Sequence, residues 1–237
     1  ATRQDIRPLK LLLLNLMPKK RDTEIQFARL FGNTPLQIEM ILMTTASYTP
    51  RNTEPGYLRR FYRQLDDVRF EYFDALIVTG APIETLPFEE VSYWQELSEI
   101  MNWSRAHCFR RLGICWGAQA LLWHFFKVPK HQLDFKLFGV FDHRLSHISE
   151  RLMNGFTDRF PMPISRYTMN RTDDIEVAGL DVLANGVDCG AGMVRDPKSG
   201  DLFVFNHLEY DATTLADEFH RDISAGLDTA LPKNYFP

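Results

Sequence analysis

Cys115 follows the strand-like run Phe109 to Ile114 and precedes Ala118 to Phe126, an apolar, helix-compatible stretch, with Gly117 just after it. A thiol on such a strand-to-helix turn would face unpaired amides and the positive end of a helix dipole. Both stabilise a thiolate, and both stabilise the oxyanion formed when that thiolate attacks a carbonyl. The backbone N–H of Trp116 is the natural donor to the oxyanion. Far downstream, His207-Leu208-Glu209 sets an imidazole two residues from a carboxylate. On a strand these two side chains share a face, so Glu209 can orient the base that activates the thiol. Cys115, His207 and Glu209 are therefore the expected nucleophile, base and orienting carboxylate.

Each residue alone has a simpler explanation. A cysteine before a helix is most often a small buried hydrophobe, and His207, like His124 or His131, would more often be an ordinary hydrogen-bonded or surface histidine. Their joint arrangement, one at each of two strand ends, favours chemistry. Asp142, His143 and His147 lack a further strong ligand at a familiar metal spacing and read as solvated polar surface, so no metal is expected. Cys108 and Cys189 have no base in a predictable position and read as bystanders.

The elements around these residues alternate. Lys10 to Leu16 is a continuous apolar run, as expected of a strand covered on both faces. A helical pattern follows, with Ile25, Ala28, Leu30 and Phe31 on its apolar face and Gly32-Asn33 as its stop. Leu36 to Met43 reads as a second strand. A loop holding Pro50, Asn52 and Pro55 leads to a helix over Tyr57 to Leu65, and Phe73 to Thr79 is another buried strand ending at Gly80-Ala-Pro82. Val91, Trp94, Leu97, Ile100 and Met101 recur at helical spacing within Glu89 to His107. From Lys136 to about Val204 the pattern changes to short strands with turn signals at Asn154-Gly155, Asn185-Gly186 and Lys198-Ser-Gly200. A strand through Val204 to His207 and a helix over Thr213 to Ser224 complete the reading. It predicts one α/β domain over residues 1–237, with a mostly parallel sheet flanked by helices and short antiparallel additions. In open parallel sheets ligands gather at the carboxyl ends of strands, where Thr79 to Pro82, Cys115 to Gly117 and His207 to Glu209 would meet.

Composition restricts the class of function. The 237 residues are 45% hydrophobic, enough for a full core. The net charge of -4, with both signs interleaved, supplies no basic stripe for nucleic acid. The apolar run at Leu11 to Leu14 is far short of the roughly 20 residues of a membrane span. Three scattered cysteines suit a reducing compartment better than a disulfide framework, so the expectation is a cytoplasmic protein.

The turn Gly113-Ile-Cys-Trp-Gly-Ala-Gln119 with a downstream His-x-Glu resembles the class I glutamine amidotransferase superfamily, a flavodoxin-like fold with a Cys-His-Glu triad. Further blocks resemble the homoserine O-acyltransferase family, of the homoserine transsuccinylase type, built on that fold. They are Ile6-Arg-Pro-Leu-Lys10, Leu14-Asn-Leu-Met-Pro-Lys-Lys20, Asn33-Thr-Pro-Leu-Gln37, Val78-Thr-Gly-Ala-Pro82, Lys136-Leu-Phe-Gly-Val140, His207-Leu-Glu-Tyr-Asp211, Glu218-Phe-His-Arg-Asp222 and Asn234-Tyr-Phe-Pro237. The resemblance implies transfer of an acyl group from acyl-CoA, a co-substrate rather than a resident cofactor, to the side-chain hydroxyl of L-homoserine in methionine biosynthesis.

Carried over by position, the resemblance makes Cys115 the acyl carrier, His207 its base and Glu209 the orienting carboxylate, in agreement with the reading from the residues. It makes Lys136 an active-site lysine and puts Arg166 near the substrate. It also makes Glu218 and Arg221 the pair that holds the ammonium and carboxylate of the amino acid, consistent with their i, i+3 spacing on a helix. Without the resemblance that pair would be an ordinary surface salt bridge. Glu84 falls where the family carries glutamate with acetyl-CoA and glycine with succinyl-CoA, so an acetyl donor is implied. Ile164 and Leu208 depart from the family's usual histidine and proline. The sequence also stops short of the family's usual length at both ends, in parts that shape the cleft and dimer contacts of longer members. A homodimer and L-serine as acceptor, feeding cysteine biosynthesis, thus stay open, as does a glutaminase, which the cysteine turn alone would fit. A catalytically silent binding module is disfavoured by the full set of triad residues.

Overall fold

The structure of the protein, a computed structural model, describes residues 7–48, 53–146 and 151–236. His147, the loop residues Pro50 and Asn52, and the outer residues Ile6 and Pro237 of two quoted blocks lie outside them. The strands are β1 (Leu9–Leu14), β2 (Ile38–Met43), β3 (Tyr62–Arg63), β4 (Phe73–Val78), β5 (Cys108–Ile114), β6 (His131–Leu145), β7 (Arg159–Met169), β8 (Asp181–Gly186), β9 (Gly190–Arg195) and β10 (Leu202–Val204). The helices are α1 (Lys20–Gly32), α2 (Pro55–Phe61), α3 (Leu65–Val68), α4 (Trp94–His107), α5 (Trp116–Phe126), α6 (Thr172–Val177) and α7 (Thr214–Ser224).

These strands form one sheet in the order β3-β2-β1-β4-β5-β10-β9-β8-β6-β7. From β3 through to β10 neighbouring strands are parallel. β9, β8, β6 and β7 extend it antiparallel. The continuous apolar runs follow from cover on both faces. In β1, Leu12 and Leu14 join one core cluster with residues of α4 and α5, while Leu13 joins the other, with Phe27 of α1. In β4, Leu76 and Val78 face the first cluster and Ile77 the second. Alternation still operates, but both faces meet apolar partners.

Several elements differ from the sequence reading. The face of α1 that turns inward carries Lys20, Thr23 and Phe27, whereas Ile25 and Leu30 are exposed. Phe27 fills the core and the buried Lys20 ammonium donates to the Asn15 carbonyl, which sets the rotation of the helix. The expected helix over Tyr57 to Leu65 stops at Phe61 because Tyr62 and Arg63 pair with β2; Tyr62 also donates to Glu24 and accepts from Asn15. The segment at Glu89 begins as a 3₁₀ turn, and α4 proper starts at Trp94. β6 and β7 run 15 and 11 residues, longer than expected, because they pair along a hairpin that also takes in the segment carrying Lys136. β10 ends at Val204, so His207 and Glu209 sit in the turn beyond it rather than on a strand. The Asn234 block lies against β6: Lys233 N–H donates to Phe138 O and Val140 N–H to Lys233 O.

Candidate active site

The sheet order places the ends of β4, β5 and β10 side by side, all three strands running the same way. Their C-terminal extensions are the Thr79 to Glu84 loop, the Cys115 elbow and the His207 turn. Cys115 N–H donates to Val204 O at 2.8 Å, tying the elbow to the end of β10, the strand that leads into the histidine turn. Thr79 ties the third segment: its N–H donates to Leu14 O at 3.1 Å and its hydroxyl accepts from Leu16 N–H at 2.8 Å.

Cys115 has φ 50° and ψ -117°, a conformation unfavourable for any residue with a Cβ. The surroundings enforce it. A Cβ on Gly117 would lie 2.3 Å from Val78 O and 2.6 Å from Thr79 O, and one on Gly113 would lie 2.7 Å from Ala118 N. Both glycines are needed because backbone passes where side chains would stand. Gly117→Ala is expected to destabilise the fold by about 1–3 kcal/mol, the scale of overpacking against backbone that cannot retreat, measured as a lower urea midpoint. An unchanged midpoint would mean that the elbow relaxes. Because α5 starts at Trp116, the Trp116 and Gly117 amides have no acceptor within the helix, whereas those of Ala118 and Gln119 donate to Cys115 O. The Trp116 ring is fully buried, edge-on to Tyr93, so this side chain serves the core.

His207 Nδ1 lies 2.7 Å from Glu209 Oε1, and both side chains are almost fully buried. The expected pairing is present, although a turn rather than strand alternation brings it about. Burial disfavours the imidazolium, yet Glu209 and Cys115, each by charge and by hydrogen bond, outweigh it and raise His207 well above its ordinary value. The His207 imidazole can therefore hold a proton beside the Cys115 sulfur.

A cleft of about 260 Å³ opens over these residues, with Gly80, Glu84, Lys136, Tyr167, Glu218 and Arg221 in its walls. Lys136 Nζ is 2.7 Å from Asp222 Oδ2 and 3.8 Å from Glu218 Oε2. The Arg221 guanidinium donates to Asp222 Oδ1. Glu218 accepts from Ser165 Oγ and Tyr210 Oη, each at 2.5 Å. The helix pair expected from i, i+3 spacing thus engages other partners: Glu218 faces β7 and the His207 turn, while Arg221 leans on Asp222. Burial works against the Asp222 carboxylate, but Lys136 and Arg221 overcome it and hold its pKa below the usual range. Glu84 moves the opposite way: burial raises it, only partly offset by the Tyr167 amide, Arg166 and His207.

Arg166 stands apart from the other candidates. It is 2% exposed and is absent from the cleft wall; Nη2 donates to Cys189 O at 2.6 Å. Its charge acts on Cys115 and Glu84, which line the cleft, and its Nε is buried without a hydrogen-bond partner among the described residues. Two residues that sequence reasoning missed belong to the site. Tyr210 stacks on His207 with ring centroids 4.1 Å apart while its hydroxyl holds Glu218. Asp222 receives both cations. Each adjoins a residue already singled out, Glu209 and Arg221, but only the fold shows which way it turns. Among the described residues, no group of three or more His, Cys, Asp or Glu could hold a metal ion, and no helix is long and apolar enough to cross a membrane.

A thiol on a strained elbow at a helix N-terminus and a buried His–Glu pair beside it together suit covalent acyl chemistry at a carbonyl. The family model described as homoserine O-succinyltransferase matches residues 1–237. The chain is 49% identical over 238 residues to a homoserine O-acetyltransferase of Allorhizobium ampelinum, covering 100% of this chain and 77% of that protein. It is 48% identical over 238 residues to a homoserine O-acetyltransferase of Brevibacillus brevis, covering 100% and 78%. Among solved structures, a glutamine amidotransferase from Thermotoga maritima superposes with a TM-score of 0.63 at 10% identity, over 93% of this chain and 84% of that one. That likeness concerns the fold.

Proposed function

Since the chain belongs to the homoserine O-succinyltransferase family, we propose that it transfers an acyl group, acetyl by preference, from acyl-CoA to the side-chain hydroxyl of L-homoserine. The observation that carries this reading is the meeting of Cys115, the His207–Glu209 pair and the Lys136, Glu218, Arg221 cluster in one cleft. The proposed reaction has two halves. The Cys115 sulfur attacks the thioester carbonyl of acyl-CoA, and the oxyanion is met by the Trp116 amide and amides of the Thr79 to Glu84 loop. The tetrahedral adduct collapses with cleavage of the carbonyl-to-CoA sulfur bond; CoA leaves as the free thiol, taking its proton from His207, and the acyl group remains on Cys115. The acceptor then binds with its ammonium toward Glu218 and its carboxylate toward Lys136 and Arg221. His207 takes the hydroxyl proton as the oxygen attacks the thioester, and Cys115 departs with the ester formed. The pathway served would be methionine biosynthesis, in the cytoplasm.

The donor preference rests on Glu84. A carboxyl group there fills space that the far end of a succinyl group would need and, when ionised, repels its carboxylate. Initial rates of L-homoserine and L-serine with acetyl-CoA and succinyl-CoA test the whole reading. Wild type is expected to prefer acetyl-CoA with L-homoserine, and Glu84→Gly is expected to shift the donor ratio toward succinyl-CoA by about tenfold or more, the value of one relieved charge contact. A wild-type succinyl preference refutes the donor assignment, faster turnover of L-serine reassigns the acceptor, and ammonia release from glutamine would favour the amidotransferase chemistry of the wider fold.

A further inference from the structure

Behind the catalytic cleft lies a second polar cluster that the proposed reaction does not use. His143 on β6 is fully buried. Its Nδ1 is 2.9 Å from Phe141 O, and a carbonyl can only accept, so Nδ1 carries the hydrogen. Nε2 is then a bare acceptor, 2.9 Å from Asn206 Nδ2 and 3.2 Å from Cys189 Sγ, both of which can donate to it. Burial, with the nearby Arg166 charge, lowers the His143 pKa despite Phe141 O and Asp142, and burial pushes the Cys189 thiol up to about 11. A neutral imidazole accepting from a thiol and an amide is thus the state its surroundings favour. The cluster is closely fitted: a Cβ on Gly192 would lie 2.5 Å from His143 Cδ2, and one on Gly186 would lie 2.3 Å from Cys189 Sγ.

Asn206 is the residue before His207. Phe205 N–H donates to Gly192 O on β9 and His207 N–H to Pro163 O on β7, each at 3.0 Å. Between these two backbone anchors, the Asn206 side chain supplies the third, to β6. We infer that His143, acting as a hydrogen-bond acceptor for Asn206, is a positioning residue for His207, fixing the turn from which the base reaches Cys115. This rests on the reading of His207 as the base in the proposed acyl transfer. It also gives a use to three residues, His143, Cys189 and Asn206, that take no part in binding the substrate.

The test compares His143→Leu, His143→Gln and Asn206→Ala with wild type in the acetyl-CoA and L-homoserine assay, or with whichever donor and acceptor wild type turns over. His143→Leu and Asn206→Ala are each expected to lower kcat by about tenfold to a hundredfold, the effect of a small misplacement of a catalytic group, while the acceptor KM stays within about twofold. His143→Gln, whose Oε1 can replace Nε2 as acceptor, is expected to recover most of the loss. If His143→Leu does not fold, Asn206→Ala, which removes only the donor, still decides. Wild-type kcat in Asn206→Ala, or a Gln variant as impaired as a folded Leu variant, overturns the inference. His207→Ala separates the two levels: substantial turnover there counts against His207 as the base, whereas an inactive His207→Ala beside a fully active Asn206→Ala counts against His143 alone.

Discussion

Cys115→Ala should yield a folded protein that gains no acyl mass on mixing with acetyl-CoA and whose kcat falls by about 10⁴-fold or more, the scale of removing a catalytic nucleophile. Wild type under the same conditions should carry one acyl group, detected by intact mass spectrometry and released by L-homoserine. An acyl adduct that survives the substitution, or turnover near the wild-type rate, would exclude the thioester route. The backbone makes a second demand on the same variant. Alanine inherits the strained φ of 50° that the thiol occupies, so Cys115→Ala keeps the strain, whereas Cys115→Gly relieves it. Cys115→Gly should therefore be the more stable of the two by about 1 kcal/mol, read from denaturant midpoints. Equal midpoints would show that the elbow's conformation costs little. The strain persists because Gly113 and Gly117 let the backbone of β4 and α5 close around it.

Glu209→Gln should reduce kcat by about 10³- to 10⁴-fold with the fold intact, as when a histidine loses the carboxylate that fixes its tautomer. The direction of the pH effect follows from His207. Its pKa is raised in the folded protein, foremost among the raising influences by Glu209. The pair's contribution to stability is therefore complete below the ordinary histidine value of about 6.5 and is lost as pH climbs through the raised one. Glutamine removes the charge, so the folded value falls toward the ordinary one and stability loses its decline over that interval. The alkaline limb of kcat, where the protonated imidazole beside the thiol is lost, should move to lower pH. Urea midpoints and rates measured from pH 6 upward check both; a variant whose two profiles overlay those of wild type would show that Glu209 does not set the ionisation of His207.

Much of this site can be read from local sequence because its key features are local. Gly113, Cys115 and Gly117 describe an elbow within five residues, and the apolar runs of β1 and β4 announce strands covered on both faces. Where the reading failed, competing long-range contacts decided. The inward face of α1 follows Lys20, Thr23 and Phe27 rather than the more apolar Ile25 and Leu30, because the Asn15 carbonyl and the core fix the helix at those points. His207 and Glu209 do pair, but across a turn that alternation on a strand does not describe. His143, expected on solvated surface, is buried against partners contributed by two other segments.

By itself the sequence determined the alternating α/β architecture, the strand-to-helix elbow and the candidates for a triad, since periodicity, glycine placement and short spacing are properties of neighbouring residues. Only the tertiary structure decided that β10 lies beside β5, which brings His207 to Cys115, and that β6 and α7 meet so that Asp222 gathers Lys136 and Arg221 while Tyr210 holds Glu218. Those pairings join residues far apart in the chain. Burial on both faces of the sheet and the need to satisfy each buried polar group select them, and neither condition is written in any single stretch of residues.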